Sequence, residues 1–237
     1  MLKKLYDKDE IWFALGWIIV YVVGFANADM LSDSIGIPKL LTVLVGAVLT
    51  LVLLHFVDNN GLAEKFGLCC FRGDYRRFLW FVPLAVISSV NFWNGVTMHV
   101  SIPETVLYIL SMCFVGVLEE VIFRGLLFRG MGAGNVKVAI MVSSLTFGVG
   151  HIVNLFTGAP LFETLLQLVY ASAVGFCYTA VFYAGGSILP CVMSHIFVNA
   201  TSIFAVEPSA MGNFVIALVQ TVLGISYGLW VLKKRRA

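Results

Sequence analysis

Three pairs of residues stand at i, i+4 spacing inside otherwise apolar sequence: Glu120 with Arg124, Phe147 with His151, and His195 with Asn199. Four residues is close to one helical turn, so each pair projects from one face of its helix. Glu119 precedes Glu120 and points about 100° away from it, so the two carboxylates cannot do the same job. The expectation is that Arg124 holds Glu120 as scaffold while Glu119 faces the histidine-bearing helices. An ionised side chain near a bilayer centre costs roughly 2.5–3.5 kcal/mol on insertion scales. The charges in 115–129, VGVLEEVIFRGLLFR, therefore need partners from elsewhere in the chain.

Two chemistries suit Glu119, His151 and His195. A carboxylate beside an imidazole can activate water for attack on an amide, with His195 and Asn199 donating hydrogen bonds to the resulting oxyanion. Two imidazoles and a carboxylate are also a ligand set for catalytic zinc. The zinc-bound and metal-free versions stay equally open, since the missing HExxH pattern removes only the usual zinc-protease signature. Two further classes use buried polar groups. One is a noncatalytic immunity or scaffold protein whose cluster binds a peptide or lipid; the other is a proton or ion transporter. Singly, each group has a plainer reading, because a lone histidine in a membrane span more often bridges helices. His55 and His99 are left in that structural role. Two Glu, one Arg, two His and one Asn together exceed what packing requires.

The elements that position these groups are membrane spans. Of 237 residues, 60% are hydrophobic and 12% charged, against about 25% charged in a soluble domain. A polytopic membrane protein follows. A net charge of +2, with no basic–aromatic interleaving, argues against nucleic acid. Runs of about 20 apolar residues give eight candidate spans: 11–28, 38–57, 78–92, 105–128, 136–156, 161–184, 187–206 and 213–232. The fold class expected is all-α, a transmembrane helix bundle with its site among spans four, five and seven. The third span is the weakest, being short and carrying Pro83. The stretch 61–77 is too polar to span and is read as a cytoplasmic interfacial segment. The chain divides into N-terminal spans (1–104), a catalytic core (105–206), and a last span with a basic tail (207–237). Five cysteines form no paired framework or metal pattern, and those within spans act as small hydrophobes.

Lys and Arg mark cytoplasmic loops. Lys65, Arg72, Arg76 and Arg77, then Arg129 and Lys137, then Lys233 to Arg236 alternate with loops holding Asp29 and Asp33, Glu104, Glu163 and Glu207; Lys39 is the basic exception. Both termini are placed in the cytoplasm, in a bacterial-type plasma membrane. At about 1.5 Å rise per residue, Glu119 and His195 lie about 13 Å from their cytoplasmic helix ends and His151 about 21 Å, an offset that tilt or a longer fourth helix would close. The site is expected to open toward the cytoplasmic half of the membrane.

EEVIFR at 119–124, FGVGH at 147–151 and HIFVN at 195–199 resemble, in order and spacing, the EExxxR, FxxxH and HxxxN motifs of the CPBP family. That family comprises the type II CAAX prenyl endopeptidases and the Abi-like bacteriocin-processing or immunity proteins. The resemblance covers about 105–202 and implies an all-helical intramembrane peptidase. It implies that Glu119 with His151 activates water and that His195 with Asn199 stabilises the oxyanion. Phe147, Glu120 and Arg124 take orienting roles, and whether a metal binds at Glu119, His151 and His195 is argued within the family. The substrate implied is a peptide or lipidated protein at the membrane, with lipid as the surrounding partner; many bacterial members have no known prenylated substrate.

Overall fold

The computed structural model describes residues 2–132 and 134–236. Its helices are α1 (Leu2–Lys8), α2 (Glu10–Ser34), α3 (Leu40–Asn59), α4 (Val82–Ser88), α5 (Ile102–Glu120), α6 (Arg129–Met131), α7 (Val136–Gly150), α8 (Leu161–Gly185), α9 (Leu189–Thr201) and α10 (Ala210–Arg236). A π-helical segment, Val121–Phe128, joins α5 to α6. Among the described residues the only β pairing is an isolated antiparallel bridge between Val96 and Ala205. The molecule is all-α, as its apolar runs require.

Local chemistry sets the helix ends. Asp9 accepts hydrogen bonds from Ile11 N and Trp12 N at 2.9 and 3.0 Å, opening α2. Ser101, followed by Pro103 in the first turn, opens α5, and Asn135 opens α7. These side chains satisfy amide donors that the first helical turn leaves unpaired. Gly186 closes α8 at φ 74°, in the left-handed region that a residue without Cβ enters freely.

Six helices are long and apolar enough to cross a membrane: Glu10–Ser34, Leu40–Asn59, Ile102–Met131, Val136–Phe156, Leu161–Gly185 and Ala210–Arg235. Large apolar side chains such as Trp12, Leu51, Ile102 and Met211 stand outward, each about 70% exposed. Water would penalise such a surface, whereas lipid does not. The fourth expected span is longer than the hydropathy pattern gave, running 30 residues from Ile102 to Met131.

Two of the eight expected spans are shorter. In 78–92, Leu79, Trp80 and Phe81 take φ of 49°, 53° and 57°, and the α-helix that follows has seven residues, about 10 Å of rise. The seventh is the 16-residue apolar piece Leu189–Phe204, about 24 Å long against the ≈ 30 Å hydrocarbon core. Both are inner elements packed on each other. Ser88 Oγ lies 2.6 Å from Ser194 Oγ, and Asn91 Nδ2 donates to Thr201 Oγ1 at 2.9 Å.

The bundle has two chemically different ends. At one, Lys65 pairs with Glu10 at 2.6 Å, Ser187 Oγ donates to Cys69 O, Arg129 lies over Phe182 and Arg235 over Tyr183. At the other, Tyr108 OH meets Ser202 Oγ at 2.8 Å, and Val96 pairs with Ala205. Around the core, α8 packs between α7 and α10, α5 packs on α9 and α3, and α2 lies against α3 and the π segment.

Candidate active site

Glu119 and Glu120 close α5, and the π turn that follows changes how the next residues face the bundle. Extra-residue turns of this kind recur where a helix must aim functional groups. Val121 to Phe128 are all buried, so Arg124 has no route to water. Its Nη1 donates to Glu120 Oε1 at 3.0 Å and its Nη2 to Gly175 O at 3.3 Å, while the guanidinium lies 4.3 Å from the Phe147 ring centroid. Both residues of the pair are 0% exposed. The expected Glu120–Arg124 scaffold is present.

His195 reaches this pair from α9. Its Nδ1 sits 2.9 Å from Glu120 Oε1, and its Nε2 is 3.6 Å from Glu119 Oε2. The two carboxylates, which point differently along α5, therefore bracket one imidazole on its two nitrogens. With Nδ1–H donated to Glu120, Nε2 faces Glu119 and the open space beyond. Gly116 lets α9 approach this closely, since a Cβ there would stand 2.5 Å from Ile196 Cγ1.

His151 caps α7, and its Nδ1–H donates back to Phe147 O at 3.1 Å. That bond fixes the neutral tautomer whose Nε2 lone pair can accept a hydrogen bond. The Phe147 ring packs edge-on against both histidines, at 5.4 and 5.6 Å between centroids. Asn199 lies one turn beyond His195. All four expected groups, Glu119, His151, His195 and Asn199, line one cavity of about 610 Å³. His151 shares the cavity with Glu119 but makes its hydrogen bond within its own helix.

One partner was not foreseen. Tyr21, buried in α2 and 98 residues away in sequence, donates its hydroxyl to Glu119 Oε1 at 2.5 Å. Its one sequence signal is position. Aromatic residues with a polar tip gather at membrane interfaces, whereas Tyr21 sits at the middle of its span.

Among the described residues, no group of three His, Cys, Asp or Glu side chains is arranged to hold a metal ion. Of the zinc set considered from sequence, Glu119 and His195 are drawn together, while His195 Nδ1 is engaged by Glu120. As placed, these donors do not fit a zinc site, and no step below is routed through a metal.

The cavity also corrects the expected direction of opening. α5 gives it Tyr108, Met112 and Val115, all before Glu119, and α9 gives it Val198, Asn199 and Ser202, all after His195. It runs from Glu119 toward the Val96–Ala205 end and away from Arg129 and Arg235. The helix-end distances gave the depth of the groups, but which side of them is hollow depends on the short helices α4 and α9.

Residues 100–201 match the type II CAAX prenyl endopeptidase Rce1-like family. No curated protein and no solved structure matches the chain. The Rce1-like region takes in α5 to α9 and with them Glu119, His151, His195 and Asn199; Tyr21 lies outside it. The family implies a protease, and with six apolar helices it makes this an integral membrane protein.

Proposed function

We propose that the protein is an intramembrane endopeptidase that hydrolyses a peptide bond of a membrane-associated peptide or lipidated protein, using Glu119 as general base. The observation that carries this is the meeting of Glu119 and His195 at 3.6 Å on the wall of a cavity shared with His151 and Asn199. Two carboxylates and one guanidinium surround His195. Burying net charge is far costlier than burying a balanced set, and one proton shared between Glu119 and His195 makes the four groups neutral. That proton belongs on His195 Nε2 when the reaction starts, leaving Glu119 ionised.

A water accepted by the His151 Nε2 lone pair loses a proton to Glu119 as its oxygen attacks the scissile carbonyl carbon. The carbonyl oxygen gains the electron pair of its π bond and is met by His195 Nε2–H and the Asn199 amide, donors fixed before the charge develops. Collapse of the tetrahedral species breaks the C–N bond, and Glu119 returns its proton to the leaving nitrogen. Glu120 holds Nδ1–H and so keeps Nε2 directed into the cavity. The core doing this chemistry is 105–206, with both termini in the cytoplasm.

Glu119→Gln keeps the shape and removes the base. The purified variant is expected to insert and unfold like the parent while cleaving none of the peptides that the parent cleaves. Retained proteolysis in that variant would end the assignment.

A further inference from the structure

We infer that the cavity takes its peptide from the extracytoplasmic face, and that it is built for neutral or cationic segments rather than for a free C-terminal carboxylate. The inference rests on the protease reading above and says which face and which charge class the site serves.

The first observation is direction. Every helix that walls the cavity contributes residues lying from Glu119 and His195 toward one end only. The far wall includes Asn94, Ala159, Glu163, Val206, Pro208 and Asn213, the loops and helix starts at the end where Val96 pairs with Ala205.

The second is charge. The opposite end gathers Lys65, Arg129 and Arg235, with Arg72, Arg76, Arg77, Lys233 and Lys234 in the same segments. Lys and Arg excess near span ends marks the cytoplasmic side. The one basic residue that breaks the alternation, Lys39, is bonded to Asp29 at 2.8 Å. The hollow side of the active site is therefore the side away from the cytoplasm.

The third is the chemistry of the wall. Its ionisable side chains are Glu119, His151, Glu163 and His195, and none of the described lining residues is Lys or Arg. A peptidase that clips the last residues of a chain must seat a terminal carboxylate, and carboxylates are recognised by Arg or Lys pairing. Here the exposed charge at the mouth is Glu163, and the polar remainder is amide: Asn91, Asn94, Gln167, Asn213 and Gln220. Amides pair with peptide backbone in any register, and Glu163 favours cationic side chains nearby.

The test uses thiol accessibility together with cleavage. In cells carrying the full chain in the plasma membrane, a membrane-impermeant sulfonated maleimide added outside is expected to label Glu163→Cys and Asn213→Cys, each made with Cys70 retained. Exposed Cys70, which lies in the basic segment, is expected to react only in inside-out vesicles. Labelling of both new thiols from the Cys70 side alone overturns the proposal whether or not any peptide is cut. In proteoliposomes, quenched-fluorescent peptides of +3 and −3 net charge, each with free or amidated C-termini, measure the charge class. Cleavage is expected to rise with the fraction of molecules that shield Cys70, to favour the +3 peptide at least tenfold, and to be indifferent to amidation. A tenfold preference for the free carboxylate, or for −3 over +3, overturns the substrate class. If Glu119→Gln cleaves like the parent, the protease reading fails instead, and the labelling result still stands on its own.

Discussion

Removing Glu120 separates two roles of one carboxylate. In Glu120→Leu the buried Arg124 loses its counter-ion, a change that destabilises by about 3–5 kcal/mol when one partner of a buried pair is deleted. Arg124 keeps two contacts, Gly175 O at 3.3 Å and the Phe147 face at 4.3 Å, and a desolvated cation–π contact contributes about 2 kcal/mol. The lower end, about 3 kcal/mol, is expected. For a chain of this size that is a fall of roughly 6–12 °C in unfolding midpoint, at about 2–4 °C per kcal/mol. The double variant Glu120→Leu, Arg124→Met removes both charges. Gly175 O still accepts from Thr179 Oγ1 at 2.8 Å, so no carbonyl is orphaned, and stability is expected to return to within about 1 kcal/mol of the parent. Activity is not expected to return. His195 Nδ1 has lost its acceptor, and a hydrogen bond to a charged group is worth about 1.5–3 kcal/mol, or about 10- to 100-fold in rate. Cys177 and Cys191 are fully buried, so a maleimide dye that reacts as they become exposed reads the midpoint in detergent, alongside peptide cleavage. A single variant as stable as the parent, or a double variant less stable than the single, refutes the buried-pair argument. Restored cleavage in the double variant refutes the role given to His195 Nδ1.

Tyr21→Phe keeps the ring packed against Phe25, 4.7 Å between centroids, and removes the hydroxyl on Glu119. A fall in kcat of about tenfold, an unchanged KM and an acidic limb of the pH–rate profile moved to higher pH are expected; an unmoved profile reduces Tyr21 to packing. Gly116→Ala drives a Cβ against Ile196, and about 1–3 kcal/mol of overpacking with reduced cleavage is expected. Gly16→Ala, with nothing within 4 Å, is the matched control, and equal midpoints for the two would count against the close α5–α9 contact. Outside the spans, Lys65 bonds Tyr6 OH and Glu10 at 2.5 and 2.6 Å. Burial pulls the Lys65 ammonium down, but the bonds to Glu10 and Tyr6 more than offset it, leaving it above its ordinary 10.5. Burial likewise raises the Tyr6 phenol above 10.0. Both folded values exceed the unfolded ones, so this contribution is complete below about pH 10 and is lost as pH rises through the folded values. Lys65→Met is expected to narrow the gap between unfolding midpoints at about pH 8 and about pH 11, and an unchanged gap excludes this triad as its source.

What the sequence determined by itself was whatever one helix decides alone. Mean composition and apolar run length gave a membrane bundle, because lipid demands about 20 apolar residues per crossing and internal pairing of every backbone group. The i, i+4 pairs were legible for the same reason: helix geometry alone brings Arg124 to Glu120 and the His151 ring to Phe147 O. Hydropathy could not show that 78–92 breaks into left-handed residues and a seven-residue helix, since the run stays apolar throughout. It equally missed that α9 stops short. Contacts between helices belong to the tertiary structure. His195 meeting Glu120 and Glu119 across about 75 residues, Tyr21 reaching Glu119 across 98, and a cavity hollowed away from the basic end depend on how far helices approach and where short ones end. The carboxylate pair of α5 is thus half specified by its own helix; which imidazole, which phenol and which side of the membrane it serves were decided by the packing of distant segments around it.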